Sequence, residues 1–417
     1  MKSFSKILIF SFCLFALGCA TKRATVKQDP DLLKTINTSF RESAQQYKFL
    51  NSNLSDDRFP KTYEHGKLVT STANNWTSGF YSGTLLYLYE YTQEKELLNK
   101  ALEKLKFLES QKNNKNTHDL GFMMYSSFGN AYRITKNDGY KDVLIESAKS
   151  LISRYNPKVG SIQSWNRIKS LDGSVYWDFP VIIDNMMNLE LLFFASRVSG
   201  DQQYKNMAIK HAETTMKNHV RPDYSSYHVV AYNPETGAVN SRETYQGFAH
   251  NSMWARGQAW GIYGFTMAYR ETGDKRFLKT AEGMADYFLN HKNLPADKIP
   301  YWDFNAGQPG FTPAFKYEAS KYPVIPRDAS AAAIVASALL ELQGYVAQNK
   351  ADSYVNAAEM MLTSLSSTGY KASVGENGGF ILKHGVGNLT KDREVDVPLS
   401  YGDYYYAEAM LRYKNLK

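Results

Sequence analysis

Residues 178–194 read DFPVIIDNMMNLELLFF, an apolar run in which Asp184 is set among Val181, Ile182, Ile183, Met186 and Met187. Length and composition predict a buried helix. Aspartate is a poor helix former and is almost never fully buried without a partner. Removal from water disfavours its charged form, so a carboxyl here should hold its proton towards neutral pH. That is the condition for a general acid. A plainer reading stands beside it, in which Asp184 is a structural residue hydrogen-bonded to a neighbouring loop. Its surroundings in the chain weigh between the two.

Working outward, an aromatic or leucine followed four residues later by alanine recurs as Leu97/Ala101, Leu144/Ala148, Tyr204/Ala208, Phe277/Ala281 and Tyr354/Ala358. That spacing puts both side chains on one helix face, and the small alanine permits close approach. Between these segments lie more apolar, aromatic-rich ones beginning near Trp76, Asp119, Pro180, Trp254, Asp328 and Ser400. With a first outer helix near 30–49, outer and inner helices alternate at intervals of roughly 50–75 residues, the mark of a repeated helical hairpin. Six hairpins closed in a ring predict an all-α fold, an (α/α)6 barrel over 31–417. An open solenoid is the competing architecture. The long insertions at 156–179, 222–253 and 294–326 break the regular period that a solenoid needs. Studded with Trp, Tyr, Gly and Asn, they are expected to build a binding site on one rim.

The amino terminus predicts export. Lys2 and Lys6 precede an apolar core from Ile7 to Leu17 that is too short to span a bilayer. It ends in Ala16-Leu17-Gly18-Cys19, which resembles a bacterial lipobox, so residues 1–19 are expected to be a lipoprotein signal with Cys19 as the lipidation site. Secretion with cleavage near Ala20 is the alternative. Residues 20–30 read as a polar tether. Ala20 carries no retention charge, which favours the outer membrane, facing periplasm or surface. The other cysteine, Cys13, lies within the signal, leaving no disulfide for the mature chain. The formal charge of +8 falls near +6 without Lys2 and Lys6, a balance suited to an anionic substrate or an anionic membrane surface. The basic residues are scattered rather than striped, so nucleic acid is not an expected partner.

Asp119 opens an inner segment in Asn116-Thr117-His118-Asp119-Leu120-Gly121-Phe122. As a helix N-cap it would contribute about 1 kcal/mol. As a functional group it is a second carboxylate on the rim of Asp184, one hairpin earlier. Two carboxylates across a cavity keep their ionisations apart. Arg256, in Trp254-Ala255-Arg256-Gly257-Gln258-Ala259-Trp260, offers a fork for a carboxylate beside rings that stack on sugars. The structural alternative pairs it with Asp303 or Asp328. The eight histidines show no i, i+4 pair of the metal-binding kind, and no metal or organic cofactor is expected. A phosphate loop, a Gly-x-Ser-x-Gly elbow and a nicotinamide fingerprint are all missing.

These motifs resemble glycoside hydrolase family 88, the unsaturated glucuronyl hydrolases, from Trp76 almost to the end. The resemblance is carried by Asn75-Trp76-Thr77-Ser78-Gly79-Phe80, His118-Asp119-Leu120-Gly121-Phe122 and Ile183-Asp184-Asn185-Met186-Met187-Asn188-Leu189. It continues through Arg221-Pro222-Asp223, Tyr227-His228-Val229-Val230, Tyr245-Gln246-Gly247 and the Trp254–Trp260 run. It closes with Pro326-Arg327-Asp328-Ala329-Ser330, Asp396-Val397-Pro398 and Tyr401-Gly402-Asp403-Tyr404-Tyr405. The resemblance implies an (α/α)6 barrel, with Asp184 as catalytic acid/base and Asp119 as the second essential carboxylate. It also implies substrate contacts from Trp76, His228, Gln246, Arg256 and Trp260, with Trp165 as a further stacking position.

The expected substrate is an unsaturated uronyl oligosaccharide left by a polysaccharide lyase, its C4=C5 vinyl ether hydrated by Asp184. The parent polysaccharide would be ulvan or a glycosaminoglycan. Gly385 and Asn388 stand where relatives acting on sulfated glycosaminoglycans carry hydroxyls, while Thr390 and Lys391 keep groups able to hold a sulfate. Two alternatives are an unsaturated rhamnogalacturonyl hydrolase of the related family and a non-catalytic, lipid-anchored glycan-binding protein.

Overall fold

The computed structural model describes residues 28–416, so the signal segment, Cys19 and most of the tether lie outside the described residues. Twelve α-helices run through the described residues. The first three are α1 (Pro30–Ser52), α2 (Ser78–Thr92) and α3 (Lys95–Leu108). Then come α4 (Asn130–Thr135), entered through a π-helical stretch over Gly121–Gly129, and α5 (Asp138–Ile152). They are followed by α6 (Leu189–Ser199), α7 (Gln202–Asn218), α8 (Ala255–Thr272) and α9 (Lys275–Asn290). The last are α10 (Ala329–Leu342), α11 (Gln348–Leu365) and α12 (Ser400–Lys414).

The even-numbered helices form an inner ring. Each touches the next, α6 meeting the π-helical entry of α4, and α12 returns to α2, which closes the ring as an (α/α)6 barrel. Inner helices such as α2, α8 and α10 are buried on nearly all faces, as expected of helices apolar all round. The odd-numbered helices form the outer layer and bury one stripe. The five Leu/aromatic–Ala pairs all lie in that stripe, each residue under 5% exposed. Several outer helices start on a side-chain cap: Asn137 accepts from Gly139 N, Asp201 from Gln203 N and Asp274 from Arg276 N.

Residues 178–194 depart from the expected single helix. Phe179–Ile182 form a strand, Ile183–Asn188 a 3-10 turn, and only then does α6 begin. The cause is a sheet within the rim insertions. In chain order the strands are β1 (Phe59–Glu64), β2 (Lys67–Ser71), β3 (Tyr155–Asn156), β4 (Ser161–Ile162), β5 (Ile168–Lys169) and β6 (Tyr176–Trp177). They continue with β7 (Phe179–Ile182), β8 (Val229–Tyr232), β9 (Val239–Glu243), β10 (Gly385–Asn388) and β11 (Arg393–Val397). β8 lies between β7 and β9 in an antiparallel three-stranded sheet, with Ile182 opposite Val229. Side-chain alternation sends Phe179, Val181, Val230 and Tyr232 into one apolar cluster and Ile182, Val229 and Ala231 into another. An apolar run buried on both faces does not by itself tell strand from helix.

Candidate active site

The β7–β8 register sets the centre of the site. Asp184 lies two residues past β7 and His228 immediately precedes β8, so the pairing of Ile182 with Val229 brings them together. The Ile183 N–H donates to the His228 carbonyl at 3.0 Å. His228 Nε2 then lies 3.7 Å from Asp184 Oδ2. The Asp119 segment is docked by a second contact: Asn188 Oδ1 accepts the Phe122 N–H at 3.0 Å. Gly121 makes this approach possible, because a Cβ there would fall 2.4 Å from the Asn188 Cα.

A cavity of about 470 Å³ opens at this rim, lined by Trp76, Asp119, Asp184, Gln246 and Arg256 together with His118, Trp165, Tyr245 and Asn388. Trp76 leans on Phe122 and Tyr401, with ring centroids 5.5 and 4.9 Å away. Trp165 packs on Tyr245 at 5.0 Å, giving the cavity a second aromatic wall. Gln246 donates to the Gly387 carbonyl at 3.1 Å.

His228 and Trp260, expected as substrate contacts, do not line the cavity. Both are buried behind Asp184. Asp184 Oδ2, His228 Nε2 and the Trp260 indole nitrogen are buried without a formed hydrogen bond among the described residues. Burial dominates the Asp184 carboxyl and pushes its pKa up to about 7. The Arg256 cation pulls against this, Asp119 adds to it, and the Trp260 N–H opposes it weakly. His228 is held far below its usual range, first by burial and then by Arg256, so its ring is neutral. Its Nδ1 accepts the backbone N–H groups of Tyr245 and Gln246 at 3.0 and 3.1 Å. The proton is therefore on Nε2, aimed at Asp184.

Arg256 is at once a cavity residue and a strut. It is 1% exposed, and its Nη1 donates to Asp328 Oδ2 at 2.7 Å and to the Val386 carbonyl. Its Nη2 donates to the Gly387 carbonyl at 2.7 Å. Asp328 in turn caps α10 through Ser330. Of the two acidic partners considered for Arg256, Asp328 is the one found. Asp303 instead accepts from Ser252 and from the Phe248 and Asn305 backbones. The fork expected for a free carboxylate is thus largely engaged in fixing β10 at the cavity wall. Near the mouth, the Thr390 hydroxyl sits 2.7 Å from the Tyr245 carbonyl, and the Lys391 ammonium lies over the Tyr245 ring at 5.0 Å.

His118, Asn166 and Arg167 also line the cavity and were not singled out from sequence. The adjacency of His118 to Asp119 was a usable signal. The other two lie on an irregular loop with no periodicity to read. Among the described residues no group of three or more His, Cys, Asp and Glu side chains forms a metal-ion set.

Comparison with known proteins agrees with this architecture. The family model described as Glycosyl Hydrolase Family 88 matches residues 51–415. An unsaturated glucuronyl hydrolase of Formosa agariphila is 43% identical over 413 residues, 98% of each chain. An unsaturated chondroitin disaccharide hydrolase of Streptococcus agalactiae is 34% identical over 89% of this chain and 90% of its own. Among solved structures, an unsaturated glucuronyl hydrolase specific for heparin superposes with a TM-score of 0.84 at 43% identity, covering 91% of this chain and 97% of that one. On the family match and these relatives, the chain belongs to glycosyl hydrolase family 88 and is a glycosidase.

Proposed function

We propose that this enzyme removes the terminal 4,5-unsaturated glucuronate from oligosaccharides made by polysaccharide lyases. The observation that carries the reading is Asp184: a carboxyl still protonated near neutrality, at the floor of a cavity with two aromatic walls. The C4=C5 bond makes the terminal ring a vinyl ether, so the alkene is the point of attack. Asp184 gives its proton to C4, and positive charge develops at C5 and the ring oxygen beside the Asp119 carboxyl. The Asp184 carboxylate left behind faces the His228 Nε2–H, then takes a proton from the water that adds at C5. The resulting hemiketal opens and releases the remaining saccharide. One carboxyl thus acts as acid and then as base, unlike the usual two-carboxylate glycosidase. Trp76 stacks on the sugar, Gln246 contacts it, and Arg256 draws the uronate in by charge. His228 and Trp260 act through Asp184 from behind.

The lyase products are those of ulvan or a glycosaminoglycan. The mature chain is held through a lipid at Cys19 in the cell envelope, at the outer membrane. Protein lacking residues 1–19 would be mixed with lyase digests of ulvan, chondroitin, hyaluronan, heparin and pectin. Loss of the double-bond absorbance is expected with a glucuronyl product. Loss with the pectin product alone would favour the rhamnogalacturonyl activity, and loss with none would favour glycan binding without catalysis. Palmitate labelling that disappears in Cys19→Ala checks the anchor.

A further inference from the structure

The six long connections of the ring each leave an odd-numbered helix and enter an even-numbered one, and they carry most of the rim cavity. Trp76 precedes α2, Asp119 precedes α4, Trp165 and Asp184 precede α6, Tyr245 and Gln246 precede α8, and Asn388 precedes α12. The returning connections are short turns, such as 93–94, 136–137, 200–201 and 273–274, at the opposite end of the barrel. Every inner helix therefore runs away from the cavity, and α1 begins where α12 finishes. The Asp29 N–H donates to the Tyr413 hydroxyl at 2.7 Å, and Gln28 Nε2 donates to the Tyr413 carbonyl. Tyr413 belongs to the last turn of α12, an inner helix. Beside it, the Lys414 ammonium lies 4.4 Å over the ring of Tyr91, near the end of α2. The chain thus enters α1 from over the end of the barrel and not along its flank.

Cys19 precedes Gln28 by nine residues, which fully extended span at most about 32 Å. The 23 residues of α1 rise about 34 Å from that end towards the rim. A chain doubled back along α1 would use its whole length before reaching the level of Ser52. A lipid on Cys19 therefore cannot be level with the rim cavity, and it enters a bilayer freely only beyond the opposite end. We propose that the end of the barrel away from the rim is the face turned to the lipid surface, with the catalytic cavity opening away from it. The proposal rests on the lipid anchor at Cys19 put forward above. α12 alone, with 15 residues, holds the cavity about 22 Å from that face. That is more than two Debye lengths at physiological salt, about 8 Å each, so anionic headgroups do not repel an incoming uronate. So placed, the cavity takes free oligosaccharides from the water phase.

The test uses the full chain, acylated in a bacterial host and reconstituted in phosphatidylcholine vesicles that contain an acceptor-labelled lipid. Cys13 leaves with the signal and the lipid occupies the Cys19 sulfur, so an introduced cysteine is the single free thiol. One donor dye is placed at Gln202→Cys, the exposed first residue of α7. Another is placed at Val324→Cys, 78% exposed in a rim insertion. Energy transfer should put the Gln202 dye about 20 Å nearer the lipid than the Val324 dye. Equal distances, or a nearer Val324 dye, in protein that floats with the vesicles would overturn the proposal and leave the anchor standing. Protein that does not float with the vesicles defeats the anchor and the proposal together. If either variant does not fold, wild type decides. Its kcat/KM on an unsaturated disaccharide should be the same whether it is anchored or lacks residues 1–19, and a several-fold drop on anchoring overturns the orientation.

Discussion

The two ends of the barrel axis treat buried charge in opposite ways. At the end away from the rim, a cavity of about 930 Å³ is lined by acids and arginines that pair with one another. Arg270 meets Glu190, and also Glu341 at 2.9 Å. Arg412 meets Glu341 at 3.0 Å, and Glu408 accepts the Tyr87 hydroxyl at 2.8 Å. Beside the smaller cavity at the rim, Asp184 Oδ2, His118 Nε2 and His228 Nε2 have no formed hydrogen bond among the described residues. Phe122 lines both cavities. The larger cavity is thus braced by ion pairs, and the smaller one is bordered by unmet hydrogen-bonding capacity.

The largest effect that would break this contrast is at Asp184. Asp184→Asn should cut turnover of the unsaturated disaccharide about 10³-fold while leaving the melting temperature unchanged or raised at pH 8. The sign follows from linkage. The native carboxyl holds its proton more tightly than the unfolded chain does, so its contribution to stability falls as pH rises from the ordinary carboxylate range to about 7. Wild-type turnover in that variant would sink the assignment.

Arg256 stands between the two ends in character. Arg256→Ala strips a buried partner from Asp328 and two donors from β10. It should cost about 3–5 kcal/mol in denaturant unfolding together with most of the activity. Activity lost at unchanged stability would make Arg256 a carboxylate clamp rather than a strut. Arg270→Ala, at the end away from the rim, leaves Glu190 and Glu341 short of a cation. Because Arg270 is partly exposed, a smaller loss of about 2 kcal/mol is expected, with kcat/KM nearly unchanged. A large kinetic effect there would erase the distinction between the ends. The smallest effect is in pH: kcat/KM should fall about tenfold per unit above about pH 7 as Asp184 ionises, and the same limb should be missing from Asp184→Asn.

The ring of hairpins was legible because alternation of outer and inner helices is a local, periodic property. The Leu97/Ala101 type of pair needs only helix spacing to be read. Asp184 stood out because an acid in an apolar setting is visible in one dimension, and Asp119 because it opens an inner segment one hairpin earlier. The strand at 179–182 was not, since a run buried on both faces has no alternation to separate it from a helix. Nor was the engagement of Arg256 with the Val386 and Gly387 carbonyls, because main-chain acceptors leave no mark on composition. His228 and Trp260 were expected to contact substrate and instead lie buried near Asp184, because sequence does not say which side of a carboxyl a ring takes. The tautomer of His228 depends on backbone atoms at Tyr245 and Gln246, which any residue type could supply.

The β7–β8 pairing has a kinetic consequence. Asp184 and His228 meet only when strands separated by α6 and α7 zip in the correct register. Loop-closure entropy makes such distant pairing slow compared with winding neighbouring helices into hairpins. A refolding chain can therefore wind its helical hairpins before the acid finds its histidine. Recovery of helical circular dichroism should then run ahead of recovery of activity, and the interval between the two would time the last step in building the enzyme.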